Sequence, residues 1–176
     1  TTSTETAKVM ENTYRAANIA FIDEWTKYAE AVDIDLFEII EAIKQRDTHS
    51  NIRYPGLGVG GYCLTKDPTF TPAASKEFFD LDLEFPFSKL TVKTNDNMPK
   101  HVIDRVLSMI DFNNDNLKVL LCGVTYRQNV ADTRHSASEI LANGLIESGL
   151  EVICHDPYIS YWDELDIHVL NDLPDL

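Results

Sequence analysis

Basic side chains are scarce in this chain, which holds 15 Lys and Arg against 29 Asp and Glu and carries a formal charge of −14. A surface that acidic repels phosphates, which argues against nucleic acid or an anionic membrane as a partner. It would suit a salt-adapted host. The three cysteines are far apart and odd in number, so no disulfide framework is expected and a reducing cytoplasm is the expected compartment. No apolar run is long enough for a signal peptide or a membrane span. The five histidines are scattered without ligand spacing, so no metal site is expected. Internal repeats and low-complexity segments are absent. Glycine is rare as well, with only seven, yet four of them occupy six consecutive positions.

That cluster is Arg53-Tyr54-Pro55-Gly56-Leu57-Gly58-Val59-Gly60-Gly61, followed at once by Tyr62-Cys63-Leu64-Thr65-Lys66-Asp67-Pro68. Glycine lets backbone amides approach a ligand because no Cβ intervenes. A thiol, an ammonium and a carboxylate within five positions supply a nucleophile and two charges to tune it. Gly56, Gly58 and Gly61 also satisfy the G-x-G-x-x-G pattern of dinucleotide-binding folds. That pattern has force only between a strand and a helix. Here Arg53-Tyr54-Pro55 precedes it, and Tyr-Cys-Leu-Thr does not read as a helical apolar repeat.

At 176 residues the chain can bury one ordinary core or two small ones. Residues 5–32 contain no Gly or Pro and read as one long helix. Val9, Ala16, Ala20, Trp25 and Ala29 fall near helical spacing, and Ile19, Phe21 and Ile22 widen the apolar face. A helix so apolar is buried centrally or packs on a second copy of itself. Lys8 and Asn12 are four apart and share a face; taken alone, Lys8 reads first as a solvated charge. Asp35 caps a second helix, with Glu38 completing a capping-box pattern. Short helices are expected near residues 73–79 and 86–94. Another follows with Asn97 as N-cap and Pro99 in its first turn. Residues 111–116 form a turn-rich break.

The character changes at Leu117. Lys118-Val119-Leu120-Leu121-Cys122-Gly123-Val124 reads as a strand buried on both faces. Ser136 caps a helix ended by Gly149, and Glu151-Val152-Ile153-Cys154 is a second strand, closing a βαβ unit. A third strand starts near Ile167. Cys122 and Cys154 read as buried fillers inside these strands, and His155 as a strand end. Ligands of doubly wound sheets bind outside the carboxyl ends of the strands, where Arg127 and Arg134 flank a loop. They read either as phosphate ligands or as surface arginines satisfying Asp132 or Asp156.

Four separated stretches carry a resemblance. Glu5-Thr6-Ala7-Lys8 through Asn12 to Ala20 resembles the long central helix of the UDP-glucose/GDP-mannose dehydrogenase family, and residues 55–68 resemble its active-site loop. Asn95-Asp96-Asn97-Met98-Pro99 is similar to its hinge, and Gly123 to Arg134 with His155-Asp156-Pro157-Tyr158 to its nucleotide-end domain. The Pro-Gly-x-Gly-Val-Gly-Gly form is most similar to the branch oxidising UDP-N-acetylmannosamine or UDP-N-acetylglucosamine. The implied fold is α/β: an all-helical central dimerisation domain (residues 1–96) followed by an incomplete Rossmann-like βαβ UDP-binding domain (residues 97–176). Family members begin with an NAD-binding domain that is not seen here. The chain stops at Asp172-Leu173-Pro174-Asp175-Leu176 without a closing element, so an internal fragment, inactive alone, is expected.

The resemblance implies oxidation of a UDP-sugar's C6 hydroxyl to a carboxylate with NAD as cofactor. It makes Cys63 the nucleophile that forms a thiohemiacetal and then a thioester. Lys8 would stabilise the oxyanion, Asn12 would be its hydrogen-bonding neighbour, and Asp67 would handle protons and water. The thiol must react as thiolate, which Lys66 and the loop amides would favour and Asp67 oppose. Tyr54, Gly56, Gly58, Gly60 and Gly61 would cradle the substrate, Arg46 would reach a neighbouring subunit's sugar, and Arg127 would meet phosphate or sugar. Arg127 stands where lysine is usual, and Thr65 where proline is common. Lys66 and Arg134 would lie near NAD. The long helix would pair with its copy in a homodimer. Two alternatives compete: a helical dimerisation and nucleotide-binding module without chemistry, and a relative of the β-hydroxyacid dehydrogenases, which shares the long helix and its lysine but has no need of Cys63.

Overall fold

A computed structural model describes residues 2–112 and 117–174 of the chain. Helices fill the first part: α1 (Thr2–Val32), α2 (Leu36–Lys44), a 3-10 turn (Asp47–His49), α3 (Tyr62–Phe79) and α4 (Pro86–Met109). A small mixed sheet follows, made of β1 (Lys118–Cys122), α5 (Ala137–Glu147), β2 (Glu151–His155), β3 (Tyr161–Trp162) and β4 (Ile167–Leu170). Its strand order is β1-β2-β4-β3, with β1, β2 and β4 parallel and β3 antiparallel to β4. The chain divides into two compact units, one of residues 1–59 and 63–98, the other of residues 60–62 and 99–176.

Helix α1 runs uninterrupted because nothing in it breaks the hydrogen-bond ladder. It stops at Asp33, whose φ of 55° is left-handed, while the Ile34 N–H donates back to the Ala29 carbonyl at 3.0 Å. This is a glycine-type helix stop made by an aspartate, one of the few other residues that tolerate that conformation. Asp35 then caps α2, its carboxylate accepting the Phe37 N–H at 2.8 Å. Ile22, Ala29, Leu36 and Ile40 form a buried core with Ile52 packed against it. Helix α5 has Ser136 as N-cap and the same kind of stop, with Gly149 at φ 86° and Leu150 donating to Leu145 at 3.2 Å.

Several expectations are corrected. The helix expected near 73–79 begins at Tyr62 and runs through Pro68 and Pro72. The glycine cluster therefore does open a helix, although no strand precedes it. The two helices expected around 86–110 are one, and Asn97 is no cap, since its amide donates to the Lys93 carbonyl at 2.8 Å inside α4. Helix α4 continues through Pro99, which has no N–H to donate to the Asn95 carbonyl. Trp25 and Phe21 lie on the exposed side of α1, and the buried side is Asn12, Ala16, Ala20, Ile22, Asp23 and Ala29. Cys122 is exposed at the end of β1, and only Cys154 is the buried filler, its thiol pushed up to about 11 by burial. The antiparallel β3 was not foreseen. Asn113, Asn114, Asp115 and Asn116 of the expected break, and Asp175 and Leu176 at the chain end, lie outside the described residues.

Candidate active site

Cys63 sits in the first turn of α3 and is exposed. Helix amides without intrahelical partners give that end a partial positive charge. Asp67 follows one turn later on the same helix face. Its carboxylate is buried and accepts a hydrogen bond from the Asn12 amide at 2.5 Å. Asn12, only 1% exposed, also accepts from the Lys8 ammonium at 3.3 Å. Lys8, Asn12 and Asp67 thus form one hydrogen-bonded line from α1 to α3. Lys8 keeps an exposed head that also meets Glu11 at 3.7 Å. An ammonium, an amide and a carboxylate so joined can hold a developing oxyanion and move a proton.

The glycine loop owes its composition largely to packing within the chain. Gly58 has φ 90°, and a Cβ there would lie 2.5 Å from the Asn95 carbonyl oxygen. That carbonyl is the one freed by Pro99, which has no N–H to donate. Asn95 itself is buried and donates through its amide to the Ala16 carbonyl at 3.1 Å. A Cβ on Gly60 would fall 2.9 Å from the Tyr126 Cβ, and one on Gly61 2.9 Å from the Tyr126 ring. Around Gly56 alone of these four is there open space. Tyr54 is held by α2: its ring stacks on Phe37 with centroids 5.7 Å apart. Lys44 lies 3.6 Å from the ring centre, and the Tyr54 hydroxyl donates to Glu41.

The remaining expected residues are placed as follows. Arg46 is exposed and precedes the 3-10 turn, beside an open hollow lined by Ile39, Ala42, Ile43 and His49. Arg127 is exposed in the loop after β1, its backbone carbonyl accepting from Thr125 at 3.1 Å. Arg134 makes a two-pronged pair with Asp132 at 2.9 and 2.7 Å. These bonds hold the Asp132 carboxyl down to about 2. The pair with Asp132 is one of the two arrangements that the sequence left open for Arg134. Asp156, the other expected partner, instead receives the Val124 N–H at 3.1 Å and the Tyr158 N–H at 2.9 Å.

Sequence reasoning missed Tyr126 and His135. Their only signal was membership of the loop between β1 and α5. No group of three or more His, Cys, Asp or Glu suited to a metal occurs among the described residues, and no helix there is long and apolar enough to cross a membrane.

Comparison with known proteins matches two family patterns. The pattern for the UDP-glucose/GDP-mannose dehydrogenase family, central domain, covers residues 2–97. That for the same family's UDP binding domain covers residues 120–175. The UDP-N-acetyl-D-mannosamine dehydrogenase of Methanocaldococcus jannaschii is 40% identical over 88% of this chain and 34% of its own length. A crystal structure of NDP-N-acetyl-D-galactosaminuronic acid dehydrogenase from Methanosarcina mazei aligns with TM-score 0.83 and 28% identity, covering 98% of this chain and 38% of that one. A UDP-D-ManNAc dehydrogenase structure from Pyrococcus horikoshii aligns with TM-score 0.72 and 30% identity, over 86% of this chain and 35% of that one. The chain thus spans about a third of the length of the relatives it matches.

Proposed function

Because this chain belongs to the UDP-glucose/GDP-mannose dehydrogenase family, we propose that it is the central and UDP-binding part of an enzyme oxidising a UDP-N-acetylhexosamine at C6. UDP-N-acetyl-D-mannosamine is the preferred substrate, the activity named for the Methanocaldococcus relative. The observation that carries the reading is the hydrogen-bonded line Lys8–Asn12–Asp67, with Cys63 one turn away on α3. A module without chemistry has no need to bury an amide and a carboxylate together beside an exposed helix-end thiol.

Each side chain has a distinct task. The Cys63 sulfur adds to the C6 aldehyde carbon, and the carbonyl oxygen takes up negative charge beside the Lys8 ammonium. Asn12 keeps Lys8 and Asp67 in register. Asp67 receives the proton of the attacking water when the Cys63 thioester is hydrolysed to the carboxylate and free thiol. NAD, held by parts of the parent enzyme outside these residues, would supply the oxidising power, one hydride acceptance for alcohol to aldehyde and one for thiohemiacetal to thioester.

The intact protein is expected to reduce two NAD per UDP-N-acetylmannosamine consumed, and the 176-residue chain alone to reduce none. No NADH from the intact protein with any UDP-hexose or UDP-N-acetylhexosamine would sink the reading.

The same reading includes a homodimer through α1. Met10, Tyr14, Phe21, Trp25, Tyr28 and Val32 are exposed large apolar residues spaced three, four or seven positions apart along that helix, a stripe suited to a second copy of itself. Light scattering should return a dimer mass, and Phe21→Glu should shift it toward monomer. A wild-type monomer at micromolar concentration would count against this interface.

A further inference from the structure

We infer that Tyr126 and His135, from the loop between β1 and α5, are positioning residues for Cys63. The compact unit that holds the sheet also takes in Gly60, Gly61 and Tyr62, the three residues that lead into Cys63 along the chain. The contacts that join them are specific. The Gly61 N–H donates to the His135 carbonyl at 3.1 Å. The Tyr62 ring meets the His135 ring edge-on, with centroids 5.1 Å apart. Tyr126 lies against both glycines so closely that a Cβ on either would come within 2.9 Å of it. One small cluster therefore gathers the backbone before the thiol.

His135 adds a mark of constraint. Its φ of 54° is left-handed for a residue with a Cβ, a conformation that persists only where surrounding contacts over-determine it. Here those contacts are its carbonyl bond to Gly61, its ring contact with Tyr62 and the Ser136 N-cap that follows. Residue 62 is the first of α3, so the held segment ends at the peptide bond that leads into Cys63. Losing the Tyr126 packing against the two glycines is expected to loosen the segment about tenfold. A nucleophile displaced by about 1 Å loses on the order of 10²-fold in rate.

This inference rests on Cys63 being the nucleophile, and the test separates the two. In the intact protein, Tyr126→Ala is expected to speed hydrogen exchange of the Gly61 amide about tenfold and to lower kcat about tenfold or more, with KM for the nucleotide sugar changed less than about threefold. Tyr126→Phe, which keeps the ring, restores both. Unchanged exchange at Gly61 overturns the inference, and so does a raised KM with kcat intact, which would make Tyr126 a ligand contact. Continued protection of Cys154 from alkylation reports that the sheet is folded. Should Tyr126→Ala unfold, His135→Gly carries the same test, since it relieves the left-handed strain and removes only the ring from Tyr62. No rise in exchange there overturns the inference equally. If Cys63 were not the nucleophile, Cys63→Ala would leave turnover intact while the Gly61 exchange still responded.

Discussion

Cys63→Ala in the intact protein is expected to lower uronate formation on the order of 10⁴-fold, the scale at which losing a covalent nucleophile is felt. Binding of the nucleotide sugar and the mass of the assembly should not change, because the side chain is exposed and packs no core. The residual products discriminate the role. Without sulfur the aldehyde has nothing to capture it, so at most one NADH per sugar can form in place of two. Cys63→Ser keeps shape and polarity but puts a far weaker nucleophile at the same helix end, so it should resemble Ala in rate. Quench-flow with mass spectrometry of the Cys63 peptide supplies a second readout, a mass adduct in the wild type that both variants lack. Wild-type rates in either variant would return the chain to the reading without chemistry.

Part of this arrangement is legible in the sequence. Lys8 and Asn12 share a face by spacing alone, and Asp35, Ser136 and Gly149 mark helix ends by residue type. Such signals are local, set by backbone geometry within a few residues. What stayed hidden is non-local. A helix is expected only near 73–79, yet α3 begins at Tyr62 and accommodates Pro68 and Pro72 within it. Pro99 likewise suggested a helix start, whereas Gly58 packs against the carbonyl it frees. The glycines read as ligand-facing, and three of them face Asn95, Tyr126 and His135 of the same chain. Nothing near residue 60 in the sequence names residues 126 and 135 as its neighbours. Exposure of Cys122 was missed for the same reason, since an apolar run says nothing about which end of a strand is covered.

Raising the pH from 5 to 8 is expected to destabilise the fold through Asp23. This aspartate lies on the buried side of α1, 1% exposed beside Ile22, and neither carboxylate oxygen has a hydrogen-bond partner. Burial pushes its carboxyl up from 3.8 to about 7, against the pull of Lys27 one turn along the helix. The sign follows from proton counting. Between these two values the folded chain keeps the proton and the unfolded chain releases it, so the folded state binds more protons and stability falls as pH rises. The slope is about 1.4 kcal/mol per pH unit, beginning near 4, ending near 7 and flat above. Summed over that window the ionised carboxylate costs about 4 kcal/mol, an upper figure for one buried group. Asp23→Asn is nearly isosteric and always neutral, so it should match the wild type at pH 4 and exceed it by several kcal/mol at pH 8. At about 2–4 °C per kcal/mol for a chain of this size, that is a rise of about 10 °C in Tm. The variant's melting temperature should also lose most of the pH dependence seen in the wild type over this range. Parallel Tm-against-pH curves for the two proteins would show that Asp23 is solvated or partnered, and would remove the strongest candidate for a destabilising buried charge on α1.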